Sequence, residues 1–201
     1  MDYNQLKLKG RVILNPLVSF FGKLNIPPSS LTITGVFINC FVAYLFSYGF
    51  FRWAGFGLIF ASIFDAIDGA VARKTNKVTS FGGFLDSVMD RYSEFIVFLG
   101  IFIFYIRVEN LFFVFVTFFA FFGSIMVSYA RARAEGINIS CKVGIFDRTM
   151  RITTMVIGAL IGKFVFGYFL LIIAIFTQFT SFQRIFYVKN KIRNNERRKD
   201  A

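Results

Sequence analysis

Long runs of apolar residues, each about the length of a helix that crosses a bilayer, recur along most of the chain. A helix needs about 20 mostly apolar residues to cross the hydrocarbon core. Short polar or charged breaks separate the runs, and the break between the last two is the least marked. The pattern predicts an all-α integral membrane protein with six transmembrane helices, near residues 31–51, 53–73, 86–106, 111–130, 150–168 and 169–188.

Polar and basic segments flank these runs. Asn15-Pro16 is a typical helix start, and the residues after it place apolar and polar side chains on opposite faces at helical spacing. Residues 1–25 are therefore predicted to include a short amphipathic helix on the membrane surface, with an ordinary lead-in segment as the alternative. Residues 189–201 are charge-dense and are predicted to be a frayed, solvated basic tail. The whole chain, residues 1–201, is predicted to be a single membrane domain that includes both segments.

Basic residues fall mostly on one side of the predicted bundle. With six spans, both termini and the longer connections share a side that carries nearly all Lys and Arg, while the opposite side has only Arg52, Arg107 and Lys163. Cytoplasmic segments of membrane proteins carry this kind of excess. We therefore expect a multi-pass protein of the cell membrane whose two termini lie in the cytoplasm.

Composition narrows the partners and the chemistry. The net charge is +12 in a chain that is 56% hydrophobic, which favours membrane lipids or phosphorylated substrates over nucleic acid. No base-reading module is visible. Histidine is absent, so the commonest general base and zinc ligand is unavailable. Proton transfer would have to use a carboxylate, Lys, Tyr or Cys.

Four aspartates lie where the second predicted helix ends and the third begins. Asp65 and Asp68 are three residues apart and Asp86 and Asp90 are four apart, so each pair projects from one helix face. An all-oxygen ligand set suits Mg²⁺, Mn²⁺ or Ca²⁺. Four carboxylates could hold two ions, which clamp the attacking and leaving oxygens in phosphoryl chemistry. The alternative, that these acids merely sit at helix ends, explains one or two of them but not four at this spacing.

Small residues and an arginine accompany the aspartates. Gly69 and Ala72 share the helix face of the first aspartate pair, and Gly82 lies one turn before the second pair. The missing side-chain bulk would let a diphosphate or a flat base approach the backbone closely. Arg73 offers a planar set of donors suited to phosphate oxygens.

At these positions the chain resembles the CDP-alcohol phosphotransferase family, whose signature reads D-x2-D-G-x2-A-R-x8-G-x3-D-x3-D. All eight fixed residues are matched without a gap, by Asp65, Asp68, Gly69, Ala72, Arg73, Gly82, Asp86 and Asp90. The resemblance implies a six-helix membrane enzyme, usually a homodimer. It also implies a reaction in which an alcohol displaces CMP from a CDP-lipid, either CDP-diacylglycerol or an ether-linked equivalent.

The resemblance further implies residue roles. Asp65, Asp68, Asp86 and Asp90 would hold two Mg²⁺ or Mn²⁺ ions, and Asp90 would also deprotonate the acceptor hydroxyl. The segment before the first span is similar to the family's Pro-Asn/Asp-x-x-Thr, although Ser29 replaces the Asn or Asp and could simply cap a helix, as could Ser30. The implied CDP-lipid site comprises Ser29, Ser30, Leu31, Thr32, Gly69, Arg73, Thr79 and Gly82.

Residues 128–136 and 143–151 bear on the identity of the alcohol. They are similar to the phosphatidylinositol-phosphate synthase branch, with Arg131 in place of Lys and Asp147 in place of Glu. Guanidinium groups suit a phosphate dianion, so the predicted acceptor is a phosphorylated polyol, inositol phosphate first, bound by Arg131, Arg133, Arg148 and Arg151.

Other interpretations remain open for this cluster and for the chain. The four arginines could instead reflect only the cytoplasmic excess of positive charge. Glycerol 3-phosphate or serine are the alternative acceptors. An ion transporter is the alternative of a different class, but its acids would be expected near mid-membrane and spread over several helices.

Overall fold

The computed structural model describes residues 28–74 and 79–197. The described part of the chain is helical and contains no strand, which confirms the predicted all-α class. The amphipathic helix predicted within residues 1–25 lies outside the described residues. The helices are α1 (Pro28–Ser47), α2 (Phe51–Lys74), α3 (Ser80–Arg107), α4 (Leu111–Glu135), α5 (Arg148–Ile161) and α6 (Lys163–Arg197).

Several helices are suited to a bilayer. Three contain apolar segments long enough to cross it, namely Phe51–Val71, Leu111–Glu135 and Lys163–Arg197, and Thr32–Ser47 is a shorter apolar helix. Large apolar side chains such as Phe37, Trp53 and Phe164 are exposed on the outside of the bundle, where lipid would cover them. The chain is therefore a multi-pass membrane protein, and a count of six spans stays a prediction.

The last two helices differ from the prediction. They divide at Gly162, not between residues 168 and 169, and Gly162 has a φ of +133° that L side chains rarely adopt. The apolar pattern runs through this position without interruption, so the pattern alone does not reveal the break. Residues 189–197, predicted to be frayed, instead continue α6 as a helix with exposed side chains.

Short turns connect successive helices at one end of the bundle. Residues 48–50 join α1 to α2, residues 108–110 join α3 to α4, and Gly162 joins α5 to α6. At this end the rings of Phe46, Phe51 and Phe166 meet at centroid distances of 4.8 to 5.3 Å. The longer connections, and the aspartates of α2 and α3, lie at the opposite end.

α1 packs against both α2 and α3, and α3 lies very close to the α1 backbone at Gly100. A Cβ added at Gly100 would overlap the Ala43 carbonyl oxygen and lie 2.6 Å from the Ala43 Cα. Because both atoms belong to the backbone, the two helices would have to separate. This contact fixes the distance between α1 and α3, and therefore the position of the aspartates that α3 carries.

We expect Gly100→Ala to lower the free energy of unfolding by about 1–3 kcal/mol, as overpacking of a helix contact does. Gly83→Ala is the matched control on the same helix, because a Cβ there meets nothing within 4 Å. Alanine at that position should be neutral or stabilising by up to about 1 kcal/mol. Thermal unfolding of both variants in detergent checks this, and equal unfolding temperatures would contradict the close approach.

Candidate active site

Three carboxylates converge between α2 and α3. One oxygen from each of Asp65, Asp86 and Asp90 lies within 4.8 Å of the others, and all three residues are partly buried. The backbone of Asp68 lies in α2 within a turn of Asp65, but its side chain is outside the description. The structure therefore brings together the three predicted aspartates whose side chains it describes.

Side-chain caps set the start of α3 and of α5, two of the helices that carry site residues. The Gly82 N–H donates to the Thr79 Oγ1 at 2.9 Å and so fixes the first turn of α3 before Asp86. The Met150 N–H donates to the Asp147 Oδ1 at 3.0 Å and fixes the first turn of α5. Arg148 is the first residue of α5, so this second cap holds its backbone beside the aspartates.

Arg148 contacts two of the three carboxylates. Its Nη1 donates to the Asp90 Oδ2 at 2.6 Å and to the Asp65 Oδ2 at 3.2 Å. Burial alone would lower the pKa of the Arg148 guanidinium, but the carboxylates around it, Asp90 foremost, outweigh burial and hold that pKa above its ordinary value. In this structure the Arg148 guanidinium compensates part of the negative charge of the cluster, and Arg91, 3.6 Å from the Asp90 Oδ2, also contributes.

One turn further along, Arg151 makes a second ion pair. Its Nε donates to the Glu94 Oε1 at 2.9 Å, and the side chains are 0% and 7% exposed. The Arg151 Nη1 and Nη2 find no hydrogen-bond partner in the described part of the chain. Arg91 lies 3.8 Å from the Glu94 Oε2 and 3.6 Å from the Asp90 Oδ2. Asp90 and Glu94, one turn apart on α3, are thus each paired with arginine.

The four arginines predicted to bind the acceptor phosphate lie in different environments. Arg148 forms ion pairs with the aspartates, and Arg151 is fully buried and forms an ion pair with Glu94. Arg131 and Arg133 are exposed near the end of α4, where the Arg131 Nε pairs with the Glu135 Oε1 at 2.9 Å.

The predicted CDP-lipid residues lie around the ends of three helices. In α2 the Arg73 guanidinium lies beside Gly69, where an added Cβ would be 3.3 Å from the Arg73 Nη1. In α1 the Ser30 carbonyl accepts a hydrogen bond from Thr34 at 2.8 Å, and Thr32 lines the cavity described next. Thr79 and Gly82 form the cap of α3, and the side chains of Ser29 and Leu31 are outside the description.

A cavity bounded by α1, α2, α3 and α5 leads inward from the aspartates. Its walls carry Glu94 and three polar side chains that the sequence analysis did not single out, namely Asn39, Ser62 and Ser93. Apolar side chains, Leu58, Val97 and Met155, line another part of it. The spacing of both serines could have revealed them in the sequence. Ser62 precedes Asp65 by three residues and Ser93 follows Asp90 by three, so each shares a helix face with an aspartate.

The loop before α5 is anchored to α6, which the sequence analysis also missed. The Arg184 Nε donates to the Val143 carbonyl at 2.9 Å, and its Nη1 donates to the Val127 carbonyl. The Phe146 N–H donates to the Thr180 Oγ1 at 3.2 Å. These bonds fix the backbone on which Arg148 is presented.

Comparison with known proteins identifies the family of the chain. Residues 25–182 match the family described as CDP-alcohol phosphatidyltransferase. The chain belongs to this family, and it is an enzyme that transfers a lipid-phosphate group from a CDP-lipid to an alcohol. The family and the reaction class predicted from the sequence are therefore confirmed.

Individual relatives are similar over most of their length. The chain is 33% identical over 195 residues to archaetidylinositol phosphate synthase of Methanothermobacter thermautotrophicus, covering 94% of this chain and 95% of that protein. The crystal structure of Mycobacterium tuberculosis phosphatidylinositol phosphate synthase with CDP-DAG bound superposes with a TM-score of 0.80 at 27% identity, covering 88% of this chain and 93% of that one. The same enzyme in complex with manganese and citrate gives a TM-score of 0.79 at 27% identity, covering 86% and 87%.

Proposed function

We propose that the chain transfers the lipid-phosphate group of CDP-diacylglycerol, or of an ether-linked equivalent, to inositol phosphate with release of CMP. The observation that carries the proposal is the convergence of Asp65, Asp86 and Asp90 beside Arg148 at a cavity between helices. It joins a carboxylate cluster, which suits metal-assisted phosphoryl chemistry, to a guanidinium, which suits a phosphorylated acceptor. Relatives named archaetidylinositol and phosphatidylinositol phosphate synthase support the same acceptor.

The residues present fit divalent cations. Three carboxylates this close repel one another strongly unless positive charge is present, and the donor set consists of oxygen alone. We propose that Asp65, Asp68, Asp86 and Asp90 hold two Mg²⁺ or Mn²⁺ ions. Bound ions of this kind polarise phosphoryl oxygens and stabilise the charge that develops on them. The manganese complex of the M. tuberculosis enzyme supports the choice of metal.

We also propose roles for individual residues in proton transfer and in binding of the acceptor. Asp90, whose side chain is 13% exposed, is proposed to accept the proton of the acceptor hydroxyl as that oxygen attacks the lipid-bearing phosphorus. Arg148 is proposed to bind the acceptor phosphate together with Arg131 and Arg133. Arg151 is fully buried and its Nε is paired with Glu94, so a direct contact with that phosphate would have to use Nη1 and Nη2, which have no partner in the described part of the chain.

The CDP-lipid is proposed to bind along the ends of α1, α2 and α3. Two observations support this placement. Thr32 lines the cavity that contains Asp65 and Asp90, and the Arg73 guanidinium lies against Gly69. Because Gly69 has no side chain, this guanidinium can lie close to the α2 backbone, and its planar donors suit a diphosphate. The proposed site comprises Ser29, Ser30, Leu31, Thr32, Gly69, Arg73, Thr79 and Gly82.

The placement in the membrane is also a proposal. We propose six membrane-embedded helices with both termini and the active site on the cytoplasmic side, in a homodimer. The basic residues support this orientation. Arg73, Arg131 and Arg148 lie at the aspartate end of the bundle, whereas the basic residues beside the short turns at the other end are Arg52, Arg107 and Lys163.

The proposed reaction predicts metal-dependent release of CMP with inositol phosphate as acceptor. Purified protein in detergent, given CDP-diacylglycerol and Mn²⁺ or Mg²⁺, should form a phosphorylated inositol lipid that mass spectrometry identifies. EDTA should reduce CMP release to background because the aspartates lose their cations, and excess Mn²⁺ should restore it.

Parallel reactions with glycerol 3-phosphate, serine and unphosphorylated inositol serve as controls. Release of CMP with one of these and not with inositol phosphate would overturn the choice of acceptor alone. Lack of release with every acceptor and both lipid types would overturn the proposed reaction.

A further inference from the structure

One guanidinium nitrogen bridges the carboxylates that are proposed to hold metal. The Arg148 Nη1 reaches Asp65 and Asp90, which belong to different helices, whereas Arg91 contacts Asp90 alone among the three clustered aspartates. Arg148 therefore neutralises the cluster at the point where its carboxylates come together. A divalent ion bound to the same oxygens would be repelled by this guanidinium, so the two cations compete for one place.

We propose that Arg148 is a placeholder cation, which occupies the carboxylate cluster until divalent ions load and is then released toward the acceptor phosphate. The inference rests on the proposed function, because it takes Asp65 and Asp90 as metal ligands and Arg148 as a phosphate ligand. It adds an order of events: metal loading frees the group that recognises the acceptor.

The structure allows the side chain to move while its backbone stays in place. The Arg148 side chain is 30% exposed, which leaves it a path away from the carboxylates. Its backbone is held by the Asp147 cap and by the anchoring of the preceding loop to Thr180 and Arg184. The exchange is therefore a rotation of one side chain, and no helix has to shift.

The proposal links two binding events. If release of Arg148 accompanies metal binding, metal should raise the affinity for the acceptor phosphate, and the phosphate should raise the affinity for metal by the same factor. A cluster without this arginine would bind metal more tightly and lose the link.

The test measures Mn²⁺ binding to the full-length protein in detergent, without substrates, by the electron paramagnetic resonance signal of free Mn²⁺. We expect Arg148→Gln to bind Mn²⁺ about 10-fold more tightly than the parent, because one charge-assisted contact no longer competes. Arg193→Gln is the matched control, since it removes the same charge from an exposed residue in the charged end of α6 and should change the affinity less than about 2-fold.

Each outcome separates this inference from the proposed function. Equal or weaker Mn²⁺ binding by Arg148→Gln would overturn the placeholder role and leave the metal site intact. Failure of both proteins to bind Mn²⁺ would overturn the metal site itself, and with it the placeholder role. Arg148→Lys keeps a charge but lacks the guanidinium fork, so it should bind Mn²⁺ with intermediate affinity, and it decides the question if the glutamine variant does not fold.

Discussion

Asp90→Asn is expected to lower turnover by at least about 1,000-fold while CDP-lipid binding remains measurable. The amide cannot accept the proton of the acceptor hydroxyl, and it is a weaker metal ligand than a carboxylate. Most of the proposed CDP-lipid contacts come from α1, α2 and the start of α3, which the substitution leaves unchanged. CMP release at saturating substrates measures the loss, and a CDP-lipid-dependent shift in unfolding temperature measures the retained binding.

Asp147→Asn supplies the same chemical change as a control. Asp147 caps α5, and asparagine caps helices about as well as aspartate does, so turnover should fall less than about 3-fold. Near-parental turnover in Asp90→Asn would show that another group takes the proton. Equal losses in both variants would indicate a general disturbance of the acidic cluster.

Glu94→Leu is expected to lower the free energy of unfolding by about 3–5 kcal/mol, because it leaves the Arg151 charge buried without its ion partner. Arg151 is 0% exposed and already has two unpaired terminal nitrogens, so no described group can replace the carboxylate. The double variant Glu94→Leu/Arg151→Met removes both charges and should recover most of that stability, since apolar replacements of buried ion pairs are often neutral. Unfolding by heat or denaturant in detergent measures both.

An exposed pair of the same chemistry provides the comparison. Arg131 and Glu135 also lie 2.9 Å apart, but their side chains are 50% and 48% exposed. Glu135→Gln should therefore change the free energy of unfolding by less than about 1 kcal/mol. Similar losses at Glu94 and Glu135 would contradict the argument that burial of Arg151 sets the cost.

The helices were predictable wherever a polar residue ends an apolar run. The predicted span 53–73 corresponds to Phe51–Lys74 and the span 111–130 to Leu111–Glu135, whose surplus residues 131–135 form a charged helix end. The boundary at Gly162 was not predictable from hydropathy because apolar residues continue on both sides of it. A positive φ is a property of backbone conformation, and a glycine in an apolar run indicates that possibility without requiring it.

The aspartate cluster was predictable because three- and four-residue spacings place side chains on one helix face. The ion-pair partners of these acids were not predictable, because Arg148 lies 58 residues from Asp90 and 83 residues from Asp65 along the chain. A weaker signal was present. Asp90 and Glu94 are one turn apart, as are Arg148 and Arg151, and two such faces in contact make two matched ion pairs.

The length of α6 sets how far its charged end stands from the membrane. Its 35 residues make a rod of about 52 Å, whereas the hydrocarbon core of a bilayer is about 30 Å thick. The excess lies at the charged end, where residues 189–197 are exposed and continue the helix without a break. α6 thus acts as a rigid spacer, so a fluorescent label attached to a cysteine introduced at Arg197 would stand clear of the lipid headgroups.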